Sequence, residues 1–291
     1  MDQAEKLRTI VKKNQQNFPK AQVFAVTSGK GGVGKSNVAV NLAVQMQKRG
    51  KKVIIFDADF GLANVEIMFG VMPRFNLSDL IYRGKTIQEV ITPGPLGIGF
   101  ISGGSGITGV NNLSREQLKF LVNNLAKLDD LADVIIIDTG AGISDSVLEF
   151  VIASPEILLV VTPEPSSLTD AYSLLKTLHR SVEFRQSNTK INVISNRVES
   201  EEEGIGIYEK LNSVVGQFLN GTLEYLGMIP QDTAVGKAVC KQKPVSLLFP
   251  ESKSAKSFVL LADYLIQGAA TPVIQKRGIM QLLSRFIYRR N

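Results

Sequence analysis

Gly29-Lys30-Gly31-Gly32-Val33-Gly34-Lys35-Ser36 follows the β-branched run at 23–27 and opens a helical pattern over 36–49. The octet matches G-x-x-x-x-G-K-[ST] at every fixed position, in the strand–loop–helix context that gives this spacing its chemistry. Its glycines let successive backbone N–H groups turn towards a phosphate, and the amino end of the next helix adds its positive pole. Lys35 would reach the β- and γ-phosphates, and the Ser36 hydroxyl would ligate Mg²⁺. The expected nucleotide contacts run from Gly29 through Asn37.

Outward from this loop, short apolar runs alternate with helical patterns. Strands are expected at 23–27, 53–57, 98–102, 134–138, 157–162, 191–195 and 226–229, and helices near 36–49, 114–128, 144–152, 167–183, 206–219 and 254–267. Runs such as Val53-Ile54-Ile55 and Val134-Ile135-Ile136-Ile137 lack polar alternation, as parallel strands covered on both faces do. The alternation predicts one doubly wound α/β domain with a mostly parallel sheet over 21–268. A polar leader, 1–20, would precede it. Gly268-Ala269-Ala270-Thr271-Pro272 would link it to a tail, so that 269–291 holds linker and terminal helix.

Composition narrows the chemistry. With 44% hydrophobic and 21% charged residues among 291, the chain can bury a sizeable core. One cysteine, Cys240, excludes an intrachain disulfide, and one histidine, His179, excludes multi-His zinc sites. No apolar run reaches the ~18 residues of a membrane span, and the first residues are no signal peptide, so a cytoplasmic protein is expected. The net charge of +6 is concentrated: residues 271–291 hold Lys276, Arg277, Arg285, Arg289 and Arg290 and no acid. The remaining body is nearly neutral, which argues against nucleic acid as a partner.

Two acidic sites end strands, where open α/β sheets bind ligands. They are Asp57-Ala58-Asp59 and Asp138-Thr139-Gly140. The extra Lys30 makes the loop resemble the deviant Walker A form, K-G-G-x-G-K-[ST], of the P-loop family that includes MinD, ParA, the nitrogenase iron protein and FlhG. That resemblance implies ATP/ADP and Mg²⁺ as cofactors and an ATP-dependent homodimer. Lys30 would cross the interface to the partner's ATP and act with Lys35 and Asp59 as catalytic residues, much as an arginine finger stabilises developing charge elsewhere. Asp59 would orient the attacking water, Asp57 would help organise the magnesium shell, Asp138 would hold Mg²⁺ through a water, and Gly140 would sense the γ-phosphate as part of the switch. No N-K-x-D guanine motif is present. Ser195-Asn196-Arg197 stands instead where the family's adenine-contacting Asn-Arg follows a strand, and Pro230-Gln231-Asp232 resembles the segment lining the other side of the base. Glu164 matches a family position near the ribose and dimer seam.

Subfamily features point further. A single cysteine cannot hold the iron protein's cluster. Asp57-Ala58-Asp59-Phe60-Gly61-Leu62-Ala63-Asn64-Val65-Glu66 is similar to the D-A-D-x-G-L-A-N-[VL]-[DE] run of the FlhG subfamily, MinD-like ATPases that control flagellar number and placement. Asp2-Gln3-Ala4-Glu5-Lys6-Leu7-Arg8 resembles that subfamily's D-Q-A-x-x-L-R leader, which implies an FlhF-like GTPase as partner of Asp2, Gln3, Ala4, Leu7 and Arg8. Asp2 and Glu5 are spaced as N-cap and N3 of a helix too short to persist alone, so a partner should order it. A flagellar basal-body (C-ring) component is the other protein partner implied. A division-site ATPase of the MinD type would share tail and site, and the leader discriminates the two. A ParA-like partition ATPase would bind DNA in a salt-dependent way, which a neutral body disfavours.

In the tail, Ile279, Leu282, Leu283, Phe286 and Ile287 form one apolar stripe of a helix, with Arg285 and Arg289 opposite or on its flanks. Without acids it reads as an in-plane helix on anionic membrane lipid, peripheral on the inner face of the cell membrane. The plain alternative is a helix docked on the body. Burying the stripe is worth at most about 1.5–3 kcal/mol per side chain. Each basic residue adds about 1 kcal/mol on anionic lipid, offset by ordering costs. One tail should bind reversibly, and two on a dimer should gain avidity.

Overall fold

A computed structural model describes residues 21–59, 64–104, 113–184, 186 and 189–268. The leader and tail readings lie outside the described residues, as do positions 60–63 of the run that begins at Asp57. Eight strands form one sheet in the order β3-β4-β2-β5-β1-β6-β7-β8. They are β1 (Gln22–Thr27), β2 (Val53–Ala58), β3 (Thr92–Pro93), β4 (Gly99–Ser102), β5 (Val134–Thr139), β6 (Glu156–Val161), β7 (Lys190–Val198) and β8 (Glu224–Pro230). All pairings are parallel except that of the two-residue edge strand β3 with β4.

The apolar runs predicted as doubly covered strands are that. Phe24, Val26, Val53, Ile55, Val134, Ile136, Leu158 and Val160 enter the core on one face. Their neighbours Val23, Ile54, Phe56, Ile135 and Ile137 enter a core on the other. With a side-chain period of two, only strands sandwiched between helices can bury both sets. Helices α1 (Lys35–Lys48) and α11 (Lys253–Gly268) cover the first face. The second is covered by α3 (Leu77–Tyr82), α4 (Ile87–Val90), α5 (Arg115–Leu125), α6 (Asp145–Ala153), α7 (Pro165–Arg180) and α8 (Glu201–Leu219).

Three differences from the expected elements have local causes. The helix expected at 114–128 is α-helical only to Leu125 and continues as a 3-10 turn over Ala126–Asp130. Helix α8 starts five residues before the apolar pattern does, because Ser200 caps it and Glu201, Glu202 and Glu203 sit against its positive end. Short helices α2 (Asn64–Phe69), α3, α4, α9 (Thr233–Cys240) and α10 (Val245–Leu248) have too few turns to show a periodicity. Capping boxes at Asn76/Asp79 and Thr86/Glu89 start two of them.

Strands β2–β4 lie on one side of β1 and β6–β8 on the other, with β5 inserted beside β1. A crevice therefore opens at the carboxyl ends of the central strands, and the glycine-rich loop sits there.

Candidate nucleotide site

The loop leaves β1 and enters α1 through conformations that only glycine adopts freely. Gly32 (φ 78°) and Gly34 (φ 99°) lie in the left-handed region. Gly29 is needed for a different reason: a Cβ there would lie 2.1 Å from the carbonyl carbon of Asp170 in α7. The Ser28 hydroxyl donates to the Lys30 carbonyl (2.7 Å), and the Gly142 N–H donates to the Ser28 carbonyl (3.0 Å). Helix α1 has no side-chain cap and no acid in its first turn. Its first amides are thus left for a ligand, as an anion site requires.

Lys35 is buried at the head of that helix, and desolvation lowers its pKa despite the pull of Asp138 and Asp59. The two acidic strand ends converge on it. Asp57 and Asp138 are paired in register on the adjacent strands β2 and β5. Burial, opposed by the Ser36 hydroxyl and the Lys35 ammonium, pushes Asp138 up to about 6. Its carboxylate is fully buried and neither oxygen is closed by a hydrogen bond. Burial and the Asp138 charge push Asp57 well above the carboxylate range. The Asp57 oxygens accept from the Asp59 N–H (3.1 Å) and from the Val65 N–H (3.2 Å) at the start of α2. Asp57 thus holds the backbone of Asp59 and the start of α2 together. Burial also raises Asp59, against the pull of Lys35. A Cβ on Gly140 would come 3.7 Å from the Asp59 carboxylate, so the two expected switch segments meet.

A magnesium ion fits this donor set. The unpartnered Asp138 carboxylate beside the Ser36 hydroxyl offers hard oxygen ligands. Among the described residues, no group of three or more His, Cys, Asp and Glu could cage a metal unaided. Mg²⁺ at a nucleotide takes one or two protein oxygens and completes its shell with phosphates and water.

Towards β7 and β8 the crevice widens into a cleft of about 520 Å³. Gly34, Asn37, Asn196, Arg197, Pro230 and Asp232 all line it. One placement is corrected: Asn196 and Arg197 do not follow the strand but end it, inside β7, where Arg197 takes φ 61° in a bulge against β8. The Asn196 amide donates to the Val33 carbonyl (2.7 Å), and its oxygen accepts from the Arg197 N–H (3.0 Å), so it braces the phosphate loop. A side chain on Gly34 would strike that amide at 2.6 Å.

Lys30 reaches away from the loop to Glu164 (2.5 Å) and Ser166 (2.8 Å) at the start of α7. Lys30 holds the Glu164 carboxyl below its usual range, and Arg197 adds to this. Sequence reasoning named Lys30 and Glu164 separately and missed both their pairing and Ser166. It also missed the apolar walls Val235, Val239 and Phe258 and the exposed thiol of Cys240. The wall residues on α9 had a signal: Asp232 is an N-cap residue type before an unrecognised helix.

Known proteins share this sequence pattern and this fold. Residues 24–245 match the family model described as the CobQ/CobB/MinD/ParA nucleotide binding domain. The antiactivator FleN of Pseudomonas aeruginosa is 43% identical over 83% of this chain and 85% of its own length. The flagellum site-determining protein YlxH of Helicobacter pylori is 32% identical over 98% of both chains. The structure of the septum site-determining protein MinD complexed with Mg-ADP from Pyrococcus horikoshii superposes with a TM-score of 0.68 at 25% identity, covering 86% of this chain and 98% of that one. The chain belongs to the CobQ/CobB/MinD/ParA nucleotide-binding family, among its MinD-like ATP hydrolases.

Proposed function

We propose that this chain is an ATP-driven switch that sets flagellar number and placement. It binds Mg·ATP, pairs with a second copy, hydrolyses the nucleotide and separates. The observation that carries the reading is the uncapped head of α1, with Lys35 buried between Asp59 and Asp138, opening onto the base cleft. Ser36 and Asp138 would hold Mg²⁺, which when bound neutralises phosphate oxygens. Lys35 holds the phosphate chain, Asp59 orients a water, and Gly140 beside it reads the γ-phosphate. Lys30 leaves Glu164 to reach the nucleotide of the second copy. The flagellar assignment is supported by the relatives FleN and YlxH. In this reading the leader at 1–20 stimulates an FlhF-like GTPase, a C-ring protein is the basal-body partner, and the tail holds the ATP dimer on anionic lipid.

Cys240 supplies the test. It is exposed and lines the cleft, and it is the chain's one cysteine. Mg·ATP should slow maleimide labelling of Cys240 at least tenfold in the wild-type chain, GTP far less, and Lys35→Ala should show no protection. Labelling that is indifferent to ATP would overturn the cleft assignment. The partner reading is tested by pull-down of an FlhF-type GTPase with the full chain and with one lacking residues 1–20. Equal capture by both would refute it.

A further inference from the structure

Asp232 was expected beside the base, yet the structure gives its carboxylate another occupation. Its Oδ1 accepts the Ala234 N–H (2.8 Å), capping α9, and its Oδ2 accepts both the backbone N–H (3.1 Å) and the hydroxyl (2.9 Å) of Ser254, in the first turn of α11. One carboxylate therefore closes the amino ends of two helices that start 20 residues apart. Ser254 is fully buried. The helices it joins form walls of the cleft: α9 contributes Val235, Val239 and Cys240, and α11 contributes Phe258, one turn beyond Ser254. The remaining edge is fixed by the Gln231 N–H, which donates to the Val198 carbonyl at the β7 bulge (2.9 Å).

We infer that Asp232 is a positioning residue. By clamping α9 to α11 through Ser254 it sets the width of the base cleft, and base affinity depends on the clamp although the carboxylate is spent on helix ends. This rests on the cleft being the nucleotide's base site, as proposed above. A capping carboxylate is a strong acceptor for backbone amides, and both of its oxygens are engaged, so the base is gripped here by shape.

The test uses the full chain and a variant remote from any nucleotide contact, Ser254→Ala, which removes one hydrogen bond to a charged group. ADP binding should weaken about fivefold, while inorganic tripolyphosphate, which has no base, should bind as to wild type. In turnover, KM for ATP should rise with kcat within twofold, because the phosphate end is untouched. Asp232→Asn keeps an oxygen for Ala234 but replaces the one oxygen that faces Ser254 with an NH2 group, which cannot accept from the Ser254 N–H. It should weaken ADP similarly, and the double variant should be scarcely worse than either single one, since both remove the same link. Equal weakening of ADP and tripolyphosphate, or no change in ADP, would overturn the clamp. A wild-type chain that binds tripolyphosphate but gains nothing from a base would instead overturn the underlying cleft assignment.

Discussion

Replacing Asp138 by asparagine should stabilise the ligand-free protein while removing its magnesium-dependent turnover. The folded carboxyl titrates near 6 against an ordinary 3.8, chiefly because burial penalises the anion. The folded state thus holds this proton more tightly than the unfolded chain. The stability it gains from the proton is complete below about pH 4 and is lost as pH rises through about 6. Asparagine has nearly the shape of the protonated acid and never ionises. At pH 7.5 Asp138→Asn should therefore be more stable than wild type by up to about 3 kcal/mol, from a shift of about two units. In a domain of this size that is a rise in melting temperature of about 6–12 °C. The gap should close as pH falls towards 4. Removing this charge also relieves Asp57, whose pKa it helps to raise. The assay is thermal unfolding across pH 4–8, without ligand and then with Mg·ADP, where wild type should gain more than the variant. A variant no more stable at pH 7.5, or a gap that does not change with pH, would show that the buried carboxylate is not the strained group the structure describes.

Other expectations follow from single contacts. Gly29→Ala would press a methyl against the Asp170 backbone, so nucleotide affinity measured by calorimetry should fall at least tenfold with a loss of about 1–3 kcal/mol in stability. Asp59→Ala should bind ATP, dimerise and fail to hydrolyse it; an Asp59→Ala chain that sediments as a monomer at saturating ATP would sink the dimer. Glu164→Gln weakens the hold on Lys30 within one copy, so the ATP concentration giving half-maximal dimer should drop; an increase would mean that Glu164 serves the dimer rather than restrains it. Leu283→Glu should abolish co-sedimentation with anionic liposomes, because it sets a charge at the centre of the apolar stripe, whereas retained binding would return the tail to the docked-helix alternative.

The phosphate loop and the parallel sheet were legible because each is written in local sequence. Glycine spacing encodes backbone conformation directly, and Val53-Ile54-Ile55 and Val134-Ile135-Ile136-Ile137 can be satisfied only by strands covered on both faces. The aspartates at 57 and 138 were legible for the same reason, since they stand at the carboxyl ends of strands that pair in register. What each group is bonded to was not. Asn196 and Val33 are 163 residues apart, and Asp232 and Ser254 are 22 apart. Lys30 and Glu164 are separated by 134 positions, and nothing in either neighbourhood names the other. The sequence by itself determined which groups arrive at the carboxyl edge of the sheet. Only the tertiary structure decided that the Asn196 amide braces a loop and that the Asp232 carboxylate joins two helices. A hydrogen bond depends on distance and angle between elements, which sheet order and helix packing set and no local pattern encodes.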